Sequence, residues 1–464
     1  MRPWRTAAAA VAASTSGVRL TSHGERAGGS VPGLLASAHG GRPPRVYVHL
    51  GEPKTGTTFL QDVLWGNRQV LAARGIVLPG YNRRDHIRAR RDLRGEPRVA
   101  SDLADPWAGE WDVLAAQALR APVAAVISDE LLAACTERQI ECAVSSLASS
   151  EVHAVITARA FDAVLPAEWQ ETVKCGRSLG WEAWLREVAT TASVPDRRDR
   201  SPFWAAHDTI AICRLWSRHI PADHVHVITT PRQRSPQLLW VRLASVLGID
   251  PAGIDLSQAR SNSSLGYAET EFLRRVNELL MADVPEWFYT RNVKNILVPG
   301  ALRGRPGDRH PVLPPELLTW AAGEAELVST GLRDSGVQVT GDLTELLAGR
   351  GTSRPLPLAE PGEMVDAAVA SAAALAGRLY LQMYPPSPPR WPSGGPRQAL
   401  SQLEWRLLHG RGIQRRLRRA SHRPTVRRVR VAIWRVLMRP GRMRAPVPVR
   451  QPGAIGVGGV SNTA

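Results

Sequence analysis

The chain has 464 residues and a formal net charge of +17, but this charge is concentrated at its two ends. Residues 1–45 carry a net +5 and residues 390–464 a net +16, which leaves −4 for residues 46–389. The long central part is therefore not a basic nucleic-acid-binding protein, and its apolar runs fall short of the ~18 residues that a membrane span requires.

The first 44 residues are rich in Ala, Ser, Gly and Arg. Their longest apolar run, residues 7–13, is marginal for a secretory signal. This composition predicts a disordered leader over residues 1–44.

The next stretch predicts a strand, a loop and a helix that together bind an anion. Residues 46–50 read as a short apolar strand, a Gly/Pro turn follows, and an amphipathic helix opens at Thr57 and Thr58. Helix N-termini favour anions because their first N–H groups are unpaired and the dipole is positive there. Lys54 adds a compact positive charge, and the hydroxyls of Thr55, Thr57 and Thr58 can donate to phosphate or sulfate oxygens. A plain strand–turn–helix with a surface lysine is the simpler alternative.

Lysine is rare in this chain, which has 56 arginines and only Lys54, Lys174 and Lys294. Arginine has replaced lysine wherever a generic cation suffices. A lysine that remains is therefore a candidate for a site that needs a compact ammonium group. Because Lys54 lies in the anion loop, Lys174 and Lys294 become candidates for the same site.

Further along, short apolar strands alternate with helical patterns. The predicted strands are residues 75–79, 124–128, 152–157 and 225–229, and the predicted helices are residues 111–119, 136–147, 181–189 and 207–219. Nearly continuous apolar strands separated by helices indicate a parallel sheet covered on both faces. Such sheets bind ligands at the carboxyl ends of their strands. We therefore predict a three-layer α/β domain over residues 45–350.

The four cysteines lie in apolar or helical stretches without C-x-x-C spacing. Neither a zinc site nor a disulfide framework is indicated. We expect free buried thiols in a reducing compartment, which favours a cytoplasmic protein.

The anion loop resembles the phosphosulfate loop of sulfotransferases that use 3′-phosphoadenosine 5′-phosphosulfate (PAPS). That loop reads P-K-[ST]-G-[ST]-[ST], and this chain has Pro53, Lys54, Thr55, Gly56, Thr57 and Thr58. The P-loop of nucleotide triphosphatases, G-x-x-x-x-G-K-[ST], instead has its lysine after the second glycine. The resemblance implies a P-loop-like fold, PAPS as a co-substrate bound by these six residues, and sulfuryl transfer to a hydroxyl or amine without a metal.

The same resemblance implies cofactor contacts beyond the loop. In that family an Arg after the fourth strand and a Ser eight residues later hold the 3′-phosphate of PAPS. Arg159 matches the first position, but the second is Ala167. Lys174 follows in the same segment after the fourth strand, and Lys294 falls in the region where a sulfotransferase loop closes over its cofactor. We predict cofactor contacts for Arg159, Lys174 and Lys294, with exposed basic side chains as the alternative.

Three residues are candidates for the chemistry that the resemblance implies. Lys54 would neutralise the charge that develops on the bridging oxygen of the leaving adenosine bisphosphate. Members of the superfamily use a His or Glu near the ends of the early strands as general base. Glu130 follows the third strand directly and is our first choice; His86, after the second strand, is the alternative or binds the acceptor.

The character of the chain changes after residue 350. Residues 351–384 read as a linker and an Ala-rich helix, and residues 385–464 as a Pro/Arg-rich basic tail. Arginines interleaved with Trp405 and Trp434 suit the anionic inner face of a membrane. A solvated basic tail fits equally well, and nucleic acid is less favoured.

Two other functions remain open at this point. Residues 123–130 faintly resemble the apolar strand and Asp that hold magnesium in a P-loop small-molecule kinase or NTPase. Ala167 suggests instead an inactive sulfotransferase-like binding protein. The acceptor of a transferase could be a small molecule, a glycan or a glycolipid.

Overall fold

The computed structural model describes residues 42–96, 107–233, 235–257, 259, 264–281, 284–303, 311–347 and 360–383. The predicted leader up to residue 41, the linker over residues 351–359 and the basic tail from residue 385 lie outside this part of the chain. The predicted Ala-rich helix is present as Pro361–Met383. No helix among the described residues is long and apolar enough to cross a bilayer.

A parallel sheet of six strands forms the centre of the fold. The strands are β1 Arg45–His49, β2 Ile76–Val77, β3 Ala124–Ser128, β4 Glu151–Ala158, β5 Val225–Thr229 and β6 Gln338–Thr340. Their order across the sheet is β2-β3-β1-β4-β5-β6, and each pair of neighbours runs parallel. The predicted three-layer α/β fold with a central parallel sheet is confirmed. The edge strand β6 was not predicted, because three residues are too few to show a period.

Helices connect the strands and cover both faces of the sheet. They are α1 Thr57–Gly66, α2 Arg68–Ala73, α3 Arg83–Leu93, α4 Glu110–Ala118, α5 Glu137–Ser146, α6 Phe161–Lys174, α7 Trp181–Ala192, α8 Arg197–Arg200, α9 Pro202–His207, α10 Thr209–Ser217, α11 Pro236–Leu247, α12 Tyr267–Leu280, α13 Glu286–Tyr289, α14 Pro315–Asp334 and α15 Pro361–Met383. A wider helical segment of π type, Thr290–Leu302, lies between α13 and α14. The predicted helix 207–219 begins at Thr209 instead, because the Asp208 side chain accepts from the Ala211 N–H and caps α10.

Each face of the sheet has its own apolar core. On one face, Leu60 of α1 and Trp240 of α11 share a core with Tyr47 of β1. On the other, Trp169 of α6 and the helices around it share a core with Val48 of β1. Successive residues of a strand point to opposite faces, so the central strand β1 contributes to both cores.

The predicted burial of the cysteines is correct for two of the four. Cys135 and Cys213 are buried, whereas Cys142 and Cys175 are exposed, and all four are free. The prediction was wrong for Cys142 and Cys175 because an apolar neighbourhood in sequence does not decide which side of a helix a residue occupies.

The strand order reverses between β1 and β4. The chain leaves β1 toward β2 on one side of the sheet, whereas it leaves β4 toward β5 on the other. The loops after these two adjacent strands therefore diverge and open a crevice at the carboxyl edge. This is the place where open α/β sheets bind their ligands.

Candidate functional site

The loop between β1 and α1, residues 50–56, lies at this crevice and is sharply bent. Lys54 and Gly56 have φ angles of 64° and 99°, and Pro53 before them is buried. The φ of Gly56 is one that residues with a Cβ atom rarely adopt, and an added Cβ would lie 2.6 Å from Leu239 Cδ2, so the turn favours glycine there. Gly56 is the N-cap of α1, and no side chain caps that helix. The first N–H groups of α1 therefore lack a side-chain cap next to Lys54.

The hydroxyl groups of the loop differ in position. Thr55 is buried, and its Oγ1 donates to Glu52 O at 2.5 Å and lies 2.6 Å from Thr157 Oγ1. This hydroxyl fastens the loop to β4, which favours a structural role over the predicted contact with a ligand. Thr57 is also buried, whereas Thr58 in the first turn of α1 is half-buried.

All three lysines of the chain meet at one carboxylate beside the loop. Lys54 Nζ lies 2.5 Å and Lys174 Nζ 2.7 Å from Glu171 Oε2. Lys294 Nζ lies 2.8 Å from Glu171 Oε1. The loop, α6 and the π-type segment each contribute to this group, which we call the lysine cluster. The three lysines could be identified as candidates because lysine is rare in the sequence. Nothing in the sequence identified Glu171.

The lysine cluster carries a net charge of +2 in a partly buried position. The side chain of Lys174 is 15% exposed and that of Lys294 is 32% exposed. Burial alone would raise the pKa of Glu171, but the three ammonium groups outweigh it and lower that pKa, so the carboxylate stays charged. Burial, and then the neighbouring Lys54, lower the pKa of Lys174. Because one carboxylate cannot balance three ammonium groups, the cluster suits a doubly charged anion.

Arg159 connects the two loops that diverge at the crevice. It follows β4 directly, and its Nη1 donates to Lys54 O at 3.1 Å. Ala167 lies on α6, four residues before Glu171 and seven before Lys174, so the three share one side of the helix. Ala167, which stands where the family has a serine hydroxyl, therefore lies on the side of α6 that carries the lysine cluster.

Glu130 lies at the carboxyl edge after β3, where it begins a short 3₁₀ turn. Gln61 Nε2 of α1 donates to Glu130 Oε2 at 3.1 Å, and Arg83 Nη2 lies 3.9 Å from the same oxygen. The Glu130 side chain is 30% exposed, which leaves it accessible to an acceptor. It remains the candidate base.

His86 is buried in α3 and both of its ring nitrogens face backbone groups. Nδ1 accepts from the Ser128 N–H at 3.1 Å, and Nε2 donates to Pro79 O at 2.9 Å. Burial lowers its pKa. These contacts tie α3 to β3, which favours a structural role over the predicted role as base or acceptor ligand.

A buried group of charges that the sequence did not indicate lies behind the loop. His207 Nδ1 is 3.8 Å from Glu52 Oε2, and its Nε2 is 3.8 Å from Glu168 Oε2. Burial would lower the pKa of His207, but the two carboxylates outweigh it and raise the pKa to about 9. Glu52 also accepts from Thr209 Oγ1 at 2.5 Å. This imidazolium therefore joins the loop to α6 from inside the protein.

Asp129 is the aspartate of residues 123–130, the stretch that faintly resembled a magnesium site. It is buried, and its carboxylate contacts other groups of the protein. Its Oδ1 accepts from the Leu131 N–H at 3.0 Å and lies 3.3 Å from Arg90 Nε. Burial raises the pKa of Asp129 to about 6. The carboxylate serves an internal ion pair and a turn, which weakens the case for a kinase or NTPase.

Comparison with known proteins adds one distant likeness. No protein-family model and no curated protein matches this chain. Among solved structures, a sulfotransferase from Alicyclobacillus acidocaldarius aligns with 55% of this chain and 97% of its own length, at 16% identity and a TM-score of 0.30. The fold class rests on the order and direction of the six strands of the sheet.

Proposed function

We propose that this protein is a PAPS-dependent sulfotransferase that moves a sulfuryl group to a hydroxyl or amine of its acceptor. The observation that supports this most is the convergence of Lys54, Lys174 and Lys294 on Glu171 beside the loop. An uncapped helix N-terminus next to a group with a net charge of +2 suits a phosphosulfate. The order of the loop residues, with lysine before glycine, favours a phosphosulfate over a triphosphate.

In this proposal the binding groups divide into two sets. The first N–H groups of α1 and the Thr58 hydroxyl bind the phosphosulfate oxygens, and Lys54 neutralises the charge that develops on the bridging oxygen. Arg159, Lys174 and Lys294 bind the 3′-phosphate, in place of the hydroxyl that Ala167 lacks. Glu171 holds the three ammonium groups close together, since without a counter-ion they repel one another.

The reaction resembles phosphoryl transfer, in which in-line geometry and stabilisation of charge do most of the work. We assign Glu130 as the base that takes the proton of the acceptor hydroxyl or amine, with Gln61 orienting its carboxylate. The acceptor classes that we propose are a small molecule, a glycan or a glycolipid.

Calorimetric titration with adenosine 3′,5′-bisphosphate tests the binding step. We expect micromolar affinity for the wild type and at least a ~10-fold loss in Lys54→Ala, because a charge-assisted contact is removed. Lys54→Arg should bind less tightly than wild type, since a planar fork does not replace a compact ammonium group. The matched control Arg186→Ala, at a 66% exposed ion pair on α7, should bind normally. A wild type that does not bind the bisphosphate would overturn the proposal.

Two outcomes would favour the other candidate functions. Magnesium-dependent ATP turnover, with no turnover of PAPS, would indicate a kinase or NTPase. Bisphosphate binding without transfer of radiolabelled sulfate from PAPS into any component of a cell extract would indicate a binding protein. For the transferase, Glu130→Gln should abolish transfer and leave bisphosphate binding intact.

A further inference from the structure

A second group of ionisable side chains lies at the amino edge of the sheet, opposite the lysine cluster. Glu151 and His153 stand at the start of β4, and His224 ends a 3₁₀ turn just before β5. His226 follows on β5. Residues two apart on a strand point to the same face, and β4 and β5 are paired, so these side chains become neighbours.

The distances place three donor atoms around one point. His153 Nε2 lies 2.8 Å and His224 Nε2 4.0 Å from Glu151 Oε1. One donor atom of each of these residues lies within 4.8 Å of the other two. On its other side, His153 Nδ1 lies 3.0 Å from His226 Nε2.

We propose that Glu151, His153 and His224 bind a divalent transition-metal ion of the zinc class, with His226 as the hydrogen-bond partner that orients His153. Two imidazoles and one carboxylate are a donor set typical of zinc, whereas magnesium and calcium prefer oxygen ligands alone. Donor atoms on tetrahedral zinc are roughly 3.3 Å apart, so Glu151 and His153 separate by about 0.5 Å on binding and His224 moves about 0.7 Å toward Glu151. The side chains of Glu151 and His224 are 42% and 26% exposed and have room to rotate.

His153 is the fixed member of this group. Its ring stacks on Tyr47, with centroids 4.8 Å apart, and on His224, with centroids 4.4 Å apart. When its Nδ1–H donates to His226 Nε2, the lone pair of its Nε2 points toward Glu151. Ligating histidines commonly use their second N–H in this way, and the outer partner fixes the tautomer.

Three protein ligands leave one position of a tetrahedral ion for water or a small ligand. The ion would also join β4 to the segment before β5. Because binding to the folded state alone stabilises it, zinc should raise the unfolding temperature of the wild type.

The test is a calorimetric titration of the full chain with zinc chloride after a chelator has removed any bound metal. We expect one site per chain at this group. Glu151→Gln and His224→Ala should each lower the affinity at least ~10-fold, and His226→Asn should lower it about 10-fold through the lost orientation of His153. The matched controls are Glu137→Gln and His219→Ala, which alter a His–Glu pair 3.9 Å apart elsewhere on the surface and should leave the affinity unchanged.

Cobalt(II) gives a second readout, because a tetrahedral cobalt site absorbs in the visible range. That absorption should appear in the wild type and be lost in His224→Ala, a partly exposed position where the substitution leaves the core intact. The proposal is overturned if the wild type binds no zinc, or if Glu151→Gln and His224→Ala bind it as tightly as the wild type does.

Discussion

At the scale of single residues, the charge of a buried histidine here follows from what its ring nitrogens face. His86 faces backbone groups, and burial lowers its pKa. Burial likewise lowers the pKa of His49 to about 4. His207 faces Glu52 and Glu168, which raise its pKa to about 9 against the effect of burial. Neighbouring carboxylates therefore decide that His207 alone of these three is charged at neutral pH.

We expect His207 to make stability depend on pH. Its folded pKa of about 9 lies above the ordinary 6.5, so its contribution is fully present below pH 6.5 and is lost as the pH rises through 9. The shift corresponds to on the order of 3 kcal/mol. Urea unfolding should be measured at about pH 6 and about pH 9.5. Between these two pH values the free energy of unfolding should fall in the wild type and fall less in His207→Gln.

The control for this experiment is His219→Gln, at a side chain that is 19% exposed. It should keep the pH slope of the wild type. An equal slope in His207→Gln and the wild type would contradict the assignment of a charged His207.

At the scale of secondary-structure elements, α6 joins the other parts of the site. Its Glu168 faces His207 behind the loop, and its Glu171 faces the loop through Lys54. The same Glu171 contacts the π-type segment through Lys294. Two carboxylates one turn apart on one helix thus hold elements that are far apart in the chain.

Replacing Glu171 should weaken the contacts between these elements and make the stability of the protein depend more strongly on bound anions. Glu171→Gln should lower the free energy of unfolding by about 1–3 kcal/mol, below the range for fully buried pairs because the Glu171 side chain is 23% exposed. Sodium sulfate should restore more stability in the variant than in the wild type, since a dianion bound to the three ammonium groups replaces the lost charge. Urea unfolding in sodium sulfate, compared with sodium chloride at equal ionic strength, measures both effects.

Glu182→Gln is the matched control for this substitution. Its carboxylate is 61% exposed and pairs with Arg186 on the surface, so its loss should change stability by less than ~1 kcal/mol. If Glu171→Gln responds to sulfate no more than Glu182→Gln does, the lysine cluster does not bind anions.

At the scale of the whole molecule, charge is separated along the chain. Residues 46–389 carry a net −4 and residues 390–464 a net +16, from 17 arginines and one glutamate. We propose that this arginine-rich part binds anionic lipid, because each basic residue near such a surface contributes about 1 kcal/mol.

Sedimentation with lipid vesicles tests this proposal. The full chain should sediment with vesicles that contain phosphatidylglycerol, remain in solution with neutral vesicles, and be released by high salt because salt screens the attraction. A chain that ends at residue 384 should remain in solution with both kinds of vesicle. Equal sedimentation of the two chains with anionic vesicles would contradict the proposal.

The alternation of strands and helices could be read from the sequence because it depends on local patterns. Residues 124–128 are all buried, and residues 225–229 are buried except for the half-buried His226, so these runs differ clearly from the amphipathic helices between them. The strand, loop and helix around Lys54 were also local. The short β6 and the interruption at Asp208 were missed, because they depend on a neighbouring strand and on one cap.

The sequence by itself therefore determined the α/β class and the strand, loop and helix around Lys54. Only the tertiary structure decided that Lys54, Lys174 and Lys294 share Glu171, that His86 faces backbone groups, and that His207 lies between two carboxylates. The physical reason is distance along the chain: Lys54 and Glu171 are 117 residues apart. Their contact arises from the order and packing of strands, which no short stretch of sequence encodes.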